Sequence, residues 1–275
     1  GSGLAADAGR FRSRVFVLCL LTAIDLQILS NLANDYGDAV SGADNEERVG
    51  PQRTVVSGLI TKEQMQRAML LVAGITIVCG LSLLWTAFSG DWLAILTFVG
   101  FGALSLIAAV TYTVGSRPYG YRGLGDLSVF LFFGLLGVMG TYYLFTHQLD
   151  LMLILPAAGC GFLATAVLNI NNIRDMDTDI ATGKRTFAAR IGRKRARLYH
   201  WVLVLGGGLM ALLFIGLRAK TAWPWLCFPA WGPLISAAWV VETSQDPVLL
   251  DKQLKRTAIS SLLFNLLLAI GFALD

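Results

Sequence analysis

Charge is the scarcest feature of this chain. Aspartate, glutamate, lysine and arginine make up only 15% of its 275 residues, whereas a soluble domain has about 25%. Hydrophobic residues make up 55%, and the charged residues are clustered, which leaves uncharged runs long enough to cross a bilayer. The composition excludes an ordinary soluble domain and predicts an integral membrane protein with several membrane-spanning segments.

Cysteine and histidine are also rare. The four cysteines are isolated within apolar runs, so no disulfide framework or cysteine zinc site is indicated, and we expect them to be small buried side chains. His147 and His200 stand alone near the ends of apolar runs, where an interfacial position is expected. The net charge of +4 does not indicate nucleic-acid binding, because the basic residues lie between apolar runs.

Eight segments are long and apolar enough to be transmembrane helices. Longer, charged connections alternate with short turns, and most lysines and arginines lie in the charged connections, which the positive-inside rule places in the cytoplasm. We therefore expect an all-α integral membrane fold, with residues 1–275 forming a single domain. The eight predicted spans cover approximately residues 15–34, 65–88, 92–114, 124–146, 150–173, 198–217, 221–241 and 255–274.

The first span ends in an acidic motif. Asn31, Asn34, Asp35 and Asp38 fall within roughly a 100° arc of a helix, and Asp44 follows. Carboxylates beside hydrocarbon are costly unless water, a partner or a metal compensates, so they indicate function by default. Two carboxylates and two amides on one arc favour a functional face over a simple helix cap.

A second acidic motif ends the fifth span. Asn171, Asp175 and Asp179 are spaced i, i+4, i+8, which places them within about 80° on a continuous helix. Each motif is followed by a glycine and then an arginine–threonine pair, beginning at Arg53 and Arg185. The repetition predicts two four-helix repeats whose motifs face one central cavity from the same side of the membrane.

Two acidic motifs beside basic residues suit a diphosphate bridged by Mg²⁺. This ion binds through a few carboxylates together with substrate phosphates, and Arg or Lys neutralises the remaining phosphate charge. At the membrane edge, a diphosphate head would lie on the acids and a hydrocarbon tail between the helices. Loss of diphosphate would leave an allylic cation that aromatic faces can stabilise. Candidate aromatic residues are Tyr36, Tyr112, Tyr119 and Tyr121.

At residues 30–44 and 168–179 the sequence resembles the UbiA superfamily of intramembrane prenyltransferases, and residues 111–121 resemble its naphthoate branch. The resemblance implies a bundle of nine transmembrane helices around a central cavity, of which this chain would have about eight and lack the first. It implies Mg²⁺ and polyprenyl diphosphate as ligands. It also implies transfer of the prenyl group to 1,4-dihydroxy-2-naphthoate, with decarboxylation, giving demethylmenaquinone in the bacterial inner membrane at a site facing the cytoplasm.

The motifs and the resemblance together assign residue roles. The expected metal ligands are Asn34, Asp35, Asp38, Asp44, Asp175 and Asp179. The expected catalytic residues are Asp35, Asp38, Asp175 and Asp179. The expected substrate-binding residues are Asn31, Asn34, Arg53, Tyr112, Arg117, Asn171, Lys184 and Arg185.

Two alternatives remain open from the sequence. The acceptor could be another aromatic ring, such as 4-hydroxybenzoate or a chlorophyll-type ring. The protein could instead be a cation transporter with duplicated acidic helix ends, although transporter sites usually lie near the membrane midplane. Asp25, in the middle of the first span, points about 180° away from Asn34 and has no role in any of these interpretations.

Overall fold

A computed structural model of the chain describes residues 1–42 and 54–275, and all regular structure in these ranges is helical. Eight helical segments of the described residues are long and apolar enough to cross a membrane. This confirms the predicted all-α membrane class. The segments are Ser13–Ser41, Lys62–Phe88, Trp92–Thr111, Gly125–Thr146, Leu151–Arg174, Arg193–Arg218, Trp223–Thr243 and Pro247–Ala273.

The α-helices of the described residues are numbered in chain order. They are α1 (Ser2–Asp7), α2 (Ser13–Ser41), α3 (Lys62–Phe88), α4 (Trp92–Thr111), α5 (Gly125–Val129), α6 (Thr141–Thr146), α7 (Ile154–Arg174), α8 (Met176–Ala181), α9 (Phe187–Ile191), α10 (Arg193–Arg218), α11 (Trp231–Thr243) and α12 (Pro247–Ala273). A π-helical stretch, Phe130–Gly140, joins α5 to α6. Short 3₁₀ turns occupy Tyr119–Arg122, Leu151–Leu153 and Trp223–Ala230.

Polar caps determine where several of these helices begin. Thr61 and Gln64 form a reciprocal capping box at the start of α3, which satisfies two amide groups that have no partner within the helix. Asp91 caps α4 through the amide of Ala94. Asp246 caps α12, whose first residue is Pro247, a position where the missing proline N–H is not needed.

The chain forms two compact units. The three-span unit comprises Arg12–Gly125 and Asp177–Thr186, and in it α2 packs against α3 and α4. The five-span unit comprises Gly1–Phe11, Asp126–Met176 and Phe187–Asp275. Its central element is α7, which contacts α9, α10, α12 and the π-helical stretch.

Glycines allow close helix packing in the five-span unit. A Cβ atom at Gly207 of α10 would lie 2.7 Å from Leu163 Cδ2 of α7. A Cβ atom at Gly271 of α12 would lie 2.6 Å from Pro224 Cα. Membrane helices associate through such small residues, because lipid provides no hydrophobic drive to bring the helices together.

Large apolar side chains cover much of the outer surface. Leu70, Leu93 and Leu96 are 75%, 79% and 65% exposed. Extensive apolar exposure of this kind is rare in soluble monomers and is expected where side chains contact lipid tails. Together with the eight apolar helices, it describes a multi-pass membrane protein.

Two of the predicted connections were partly wrong. Helix α2 continues to Ser41 rather than ending near residue 34, and α12 begins at Pro247 rather than near residue 255. Hydropathy detects only the apolar part of a helix, whereas the backbone hydrogen bonds continue into the polar membrane edge. Asp35 and Asp38 therefore lie on a helix, as the arc argument required.

The single helix predicted through the second motif was also wrong. Helix α7 ends at Arg174, Asp175 has φ −92° and ψ 7°, and α8 begins at Met176. The amide of Asp175 still donates to Asn171 O over 3.0 Å. Asn171 and Asp179 thus belong to different helices and do not share one helix face.

Three further expectations change. His200 is fully buried within α10 rather than interfacial. Of the cysteines, Cys227 is buried, while the other three are half-buried. Asp25 has the Cys79 thiol of α3 as a polar neighbour.

Candidate active site

Asp38 lies near the end of α2 and is held by a tyrosine distant in sequence. Its side chain is buried, and the Tyr121 hydroxyl donates a hydrogen bond to Asp38 Oδ1. Tyr121 belongs to the 3₁₀ turn that follows α4. The Ser41 hydroxyl lies 3.0 Å from the same tyrosine oxygen. The first acidic motif is therefore fixed to the loop between the third and fourth spans.

Tyr121 also contacts the segment that follows the second motif. Its carbonyl accepts a hydrogen bond from the Arg185 amide over 3.0 Å. The Lys184 Nζ atom lies 5.3 Å from the centroid of its ring and 3.4 Å from Asp179 Oδ1. We call Asp38, Tyr121, Asp179, Lys184 and Arg185 the tyrosine cluster, and all five belong to the three-span unit.

Asp35 has one paired and one unpaired oxygen. The backbone amide and the hydroxyl of Thr54 both donate to Asp35 Oδ2, over 3.1 and 2.5 Å. Asp35 Oδ1 is buried and accepts no hydrogen bond from the described residues. Leaving a buried acceptor unsatisfied costs about 1–3 kcal/mol, so this oxygen is suited to a cation or a bound donor.

Asn34 anchors the same helix end to the residues after α4. The Thr113 hydroxyl lies 3.1 Å from Asn34 Oδ1 and 2.9 Å from the carbonyl of Ala33. Contact here is close, because a Cβ atom at Gly37 would lie 2.6 Å from Thr113 O. Asn31, by contrast, is exposed and accepts a hydrogen bond from Gln27 one turn earlier.

Tyr112 shapes the loop that carries Tyr121. Its ring meets the Tyr119 ring edge-on at 5.3 Å between centroids, and its carbonyl accepts a hydrogen bond from the Gly120 amide over 3.0 Å. The Tyr119 hydroxyl donates to Ala108 O over 2.9 Å. Arg117 is exposed on this loop. Tyr112 therefore contributes to the site by supporting the turn of Tyr121.

Asp175 is fixed separately, within the five-span unit. Arg174, whose side chain is 3% exposed, donates to both Asp175 oxygens over 2.7 Å in a bidentate pair. The same guanidinium donates to Asn171 Oδ1 over 2.8 Å and to Asp251 Oδ1 over 2.7 Å. Bidentate pairing fixes the orientation of a carboxylate more strictly than a single hydrogen bond does.

The structure brings six of the predicted site residues together in two groups. The tyrosine cluster brings Asp38, Asp179, Lys184 and Arg185 together, and Arg174 brings Asn171 and Asp175 together. Asp44 and Arg53 lie outside the described residues. Within the described ranges, no three His, Cys, Asp or Glu side chains are grouped as a metal site requires. The acids at Asp35, Asp38, Asp175 and Asp179 are instead held by donors of the protein itself.

Sequence reasoning missed several residues that hold the acids in place. Thr54 supports Asp35, Thr113 supports Asn34, and Asp251 supports Arg174. Arg174 could have been found from its position inside the second motif. Asp251 had no such signal, because it lies in a stretch that was predicted to be a connection.

The comparisons with known proteins identify the class. The profile of the UbiA prenyltransferase family matches residues 1–271. The chain belongs to this family and is a multi-pass membrane prenyltransferase. The resemblance predicted from the acidic motifs is therefore confirmed at the level of the family.

Curated relatives narrow the class further. The chain is 47% identical over 278 residues to 1,4-dihydroxy-2-naphthoate octaprenyltransferase of Escherichia coli (strain K12), covering 100% of this chain and 89% of the relative. It is 44% identical to the Haemophilus influenzae protein of the same name, covering 98% of this chain and 87% of the relative. A solved UbiA homolog from Archaeoglobus fulgidus, bound to GPP and Mg²⁺, has the same fold, with a TM-score of 0.59, 12% identity and coverage of 97% and 94%.

Proposed function

We propose that this protein transfers a polyprenyl group from polyprenyl diphosphate to 1,4-dihydroxy-2-naphthoate. The C–O bond of the allylic diphosphate breaks, diphosphate leaves with the electron pair, and the allylic carbon bonds to a ring carbon of the naphthoate. The carboxylate leaves as CO₂, and the product is the quinol form of demethylmenaquinone. The observation that carries the proposal is 47% identity, across the whole chain, to a relative named for this reaction. The names of both relatives favour an octaprenyl donor.

The acids of both motifs are proposed to hold Mg²⁺. The proposed ligands are oxygen atoms only, which this hard cation prefers, and Asp35 Oδ1 is buried without a donor among the described residues. When bound, Mg²⁺ would stabilise the negative charge of the departing diphosphate as a Lewis acid. The proposed ligands are Asn34, Asp35, Asp38, Asp44, Asp175 and Asp179.

Basic residues are proposed to bind the diphosphate. Lys184 and Arg185 lie in the tyrosine cluster beside Asp38 and Asp179, so they can neutralise phosphate oxygens next to the metal ligands. Arg117 is assigned the same role by the resemblance, and Arg53 by the arginine–threonine pair that follows each acidic motif. Asn31 and Asn171 are proposed as polar substrate contacts. Tyr112 is proposed to face the substrate while it supports the turn of Tyr121.

The proposed location is the bacterial inner membrane, with the site facing the cytoplasm. The lysine- and arginine-rich connections adjoin both motifs, as the positive-inside rule requires for that orientation. A prenyl tail would lie among apolar helices while the charged head remains at the membrane edge. This arrangement disfavours a transporter, whose ion site usually lies near the midplane.

An acceptor assay tests the proposal. The full chain in proteoliposomes would receive labelled octaprenyl diphosphate, Mg²⁺ and either 1,4-dihydroxy-2-naphthoate or 4-hydroxybenzoate. We expect a labelled naphthoquinol only with the first acceptor, with release of CO₂, and no transfer after EDTA treatment until Mg²⁺ is restored. Prenylation of 4-hydroxybenzoate alone, or cation flux without any transfer, would overturn the proposal.

A further inference from the structure

Tyr121 uses different atoms to contact Asp38 of the first motif and the Lys184–Arg185 pair that follows the second motif. Its hydroxyl donates to Asp38, its ring faces Lys184 at 5.3 Å, and its carbonyl accepts the Arg185 amide over 3.0 Å. The first contact reaches an acid of the first motif. The other two reach the basic residues that follow the second motif. Three contacts from one residue thus fix an acid, one basic side chain and the backbone of a second basic residue relative to one another.

The surroundings of Tyr121 make it a fixed support. Asp38 and Asp179 are 3% and 5% exposed, and the Lys184 side chain is 14% exposed. A hydrogen bond to a buried charged group is stronger than one between neutral groups. The 3₁₀ turn of Tyr121 ends at Gly123, whose φ of +72° favours glycine. The turn packs against Tyr112 through Tyr119 and Gly120.

We propose that Tyr121 is a positioning residue that sets the distance between Asp38 and the Lys184–Arg185 pair. The proposal rests on the proposed function, since it assumes that Asp38 binds the metal and that Lys184 binds the diphosphate. The hydroxyl fixes which oxygen of Asp38 is turned to the metal. The ring holds the Lys184 ammonium beside Asp179, so that the charge is in place when a diphosphate arrives.

The hydroxyl contact with Asp38 and the ring contact with Lys184 can be separated by substitution. Tyr121→Phe removes the hydroxyl and keeps the ring, so it should affect the metal ligand alone. Tyr121→Leu removes both, so it should affect the metal ligand and the basic residues. The expected difference is that Tyr121→Phe weakens only metal binding, whereas Tyr121→Leu weakens both metal and diphosphate binding. If Tyr121 only filled space, both variants would bind metal and diphosphate as the parent protein does.

The test measures binding without turnover, on the full chain purified in detergent. Mn²⁺ binding would be followed by electron paramagnetic resonance. Binding of inorganic diphosphate would be followed by titration calorimetry at Mg²⁺ concentrations that saturate the parent and both variants. We expect Tyr121→Phe to lower the affinity for Mn²⁺ about tenfold, as for loss of a hydrogen bond to a charged group. Its affinity for diphosphate should change little. Tyr121→Leu should weaken both. The control is Tyr143→Phe, in the five-span unit, which should change neither affinity.

Two outcomes would overturn the proposal. One is unchanged or tighter Mn²⁺ binding by Tyr121→Phe. The other is an equal loss of affinity for Mn²⁺ and for diphosphate in both Tyr121 variants, together with lowered thermal stability. The acceptor assay separates this result from the proposed function. If the parent protein transfers no prenyl group but the two Tyr121 variants differ in binding as expected, the proposed reaction is refuted and the positioning role of Tyr121 stands.

Discussion

Arg174 and Asp251 form an ion pair of 2.7 Å that joins the end of α7 to the first turns of α12. The same guanidinium holds both oxygens of Asp175. Asp251 therefore acts on the second acidic motif without belonging to it, because it limits the positions that Arg174 can take. Removing one partner of a buried pair leaves the other charge uncompensated, so the effect should reach Asp175.

The first prediction concerns this ion pair. Asp251→Asn removes the negative charge but keeps an oxygen that can accept from Arg174. We expect turnover to fall about tenfold, since a hydrogen bond to a charged group contributes about 1.5–3 kcal/mol and its neutral replacement contributes less. Steady-state kinetics with saturating donor would measure the loss.

Lys255→Gln provides the matched control. Lys255 also pairs with Asp251, over 3.0 Å, but its side chain is 65% exposed and lies one helical turn away. Exposed pairs of this kind contribute only about 0.3–0.5 kcal/mol, so turnover should be near normal. Equal losses in both variants would show that Asp251 acts through the surface of α12 and not through Arg174.

The eight spans could be predicted from the sequence, because a membrane helix is specified by a local and long apolar run. The all-α class and the family followed from those runs and from the two acidic motifs. The helix ends were less accurate. Residues 35–41 and 247–254 include charged and polar side chains but are still helical. A hydropathy argument does not distinguish such a helix end from a loop.

The partners of the acids could not be predicted. Tyr121 meets Asp38 across 83 residues, and Asp251 meets Arg174 across 77. Such contacts depend on how the helices pack, which leaves no periodic trace in a single sequence. The break at Asp175 was missed for a related reason, since i, i+4 spacing is compatible with a helix that ends between the two positions.

The second prediction concerns Thr54. Its hydroxyl and amide hold Asp35 Oδ2, which leaves Oδ1 as the buried oxygen without a donor among the described residues. Thr54→Val keeps the shape and the amide but removes the hydroxyl, so Asp35 can rotate. We expect Mn²⁺ affinity to fall up to about tenfold. Thr54→Ser retains the hydroxyl and should bind Mn²⁺ like the parent. Normal affinity in the valine variant would exclude Thr54 from positioning Asp35.

The third prediction tests the close contact between α2 and the residues after α4. A Cβ atom at Gly37 would meet backbone atoms of Thr113 at 2.6–2.7 Å, and neither backbone can move without shifting the acidic motif. Gly37→Ala should destabilise the protein by about 1–3 kcal/mol and lower turnover. Gly74 of α3 has no atom within 4 Å of its Cβ position, so Gly74→Ala should be neutral or slightly stabilising. Thermal unfolding in detergent compares the two, and equal stability would contradict the contact.

The fourth prediction concerns the acids themselves. Asp38→Ala and Asp175→Ala should each reduce prenyl transfer below detection while the protein stays folded in membranes. Each substitution removes a carboxylate that is proposed to hold Mg²⁺, the ion that would stabilise the charge of the departing diphosphate. Some loss of stability is expected because Tyr121 or Arg174 loses its partner, at about 1–3 kcal/mol for an unsatisfied buried group.

Asp177→Ala provides the comparison for these two variants. Asp177 lies in the same short helix as Asp179 but is exposed, and it is not among the proposed ligands. Its variant should transfer the prenyl group at a rate close to that of the parent, with the same elution volume in gel filtration. Near-normal turnover of Asp38→Ala or Asp175→Ala would argue against metal binding at that acid. A loss in all three variants would instead indicate that the total negative charge of the motifs matters more than the individual ligands.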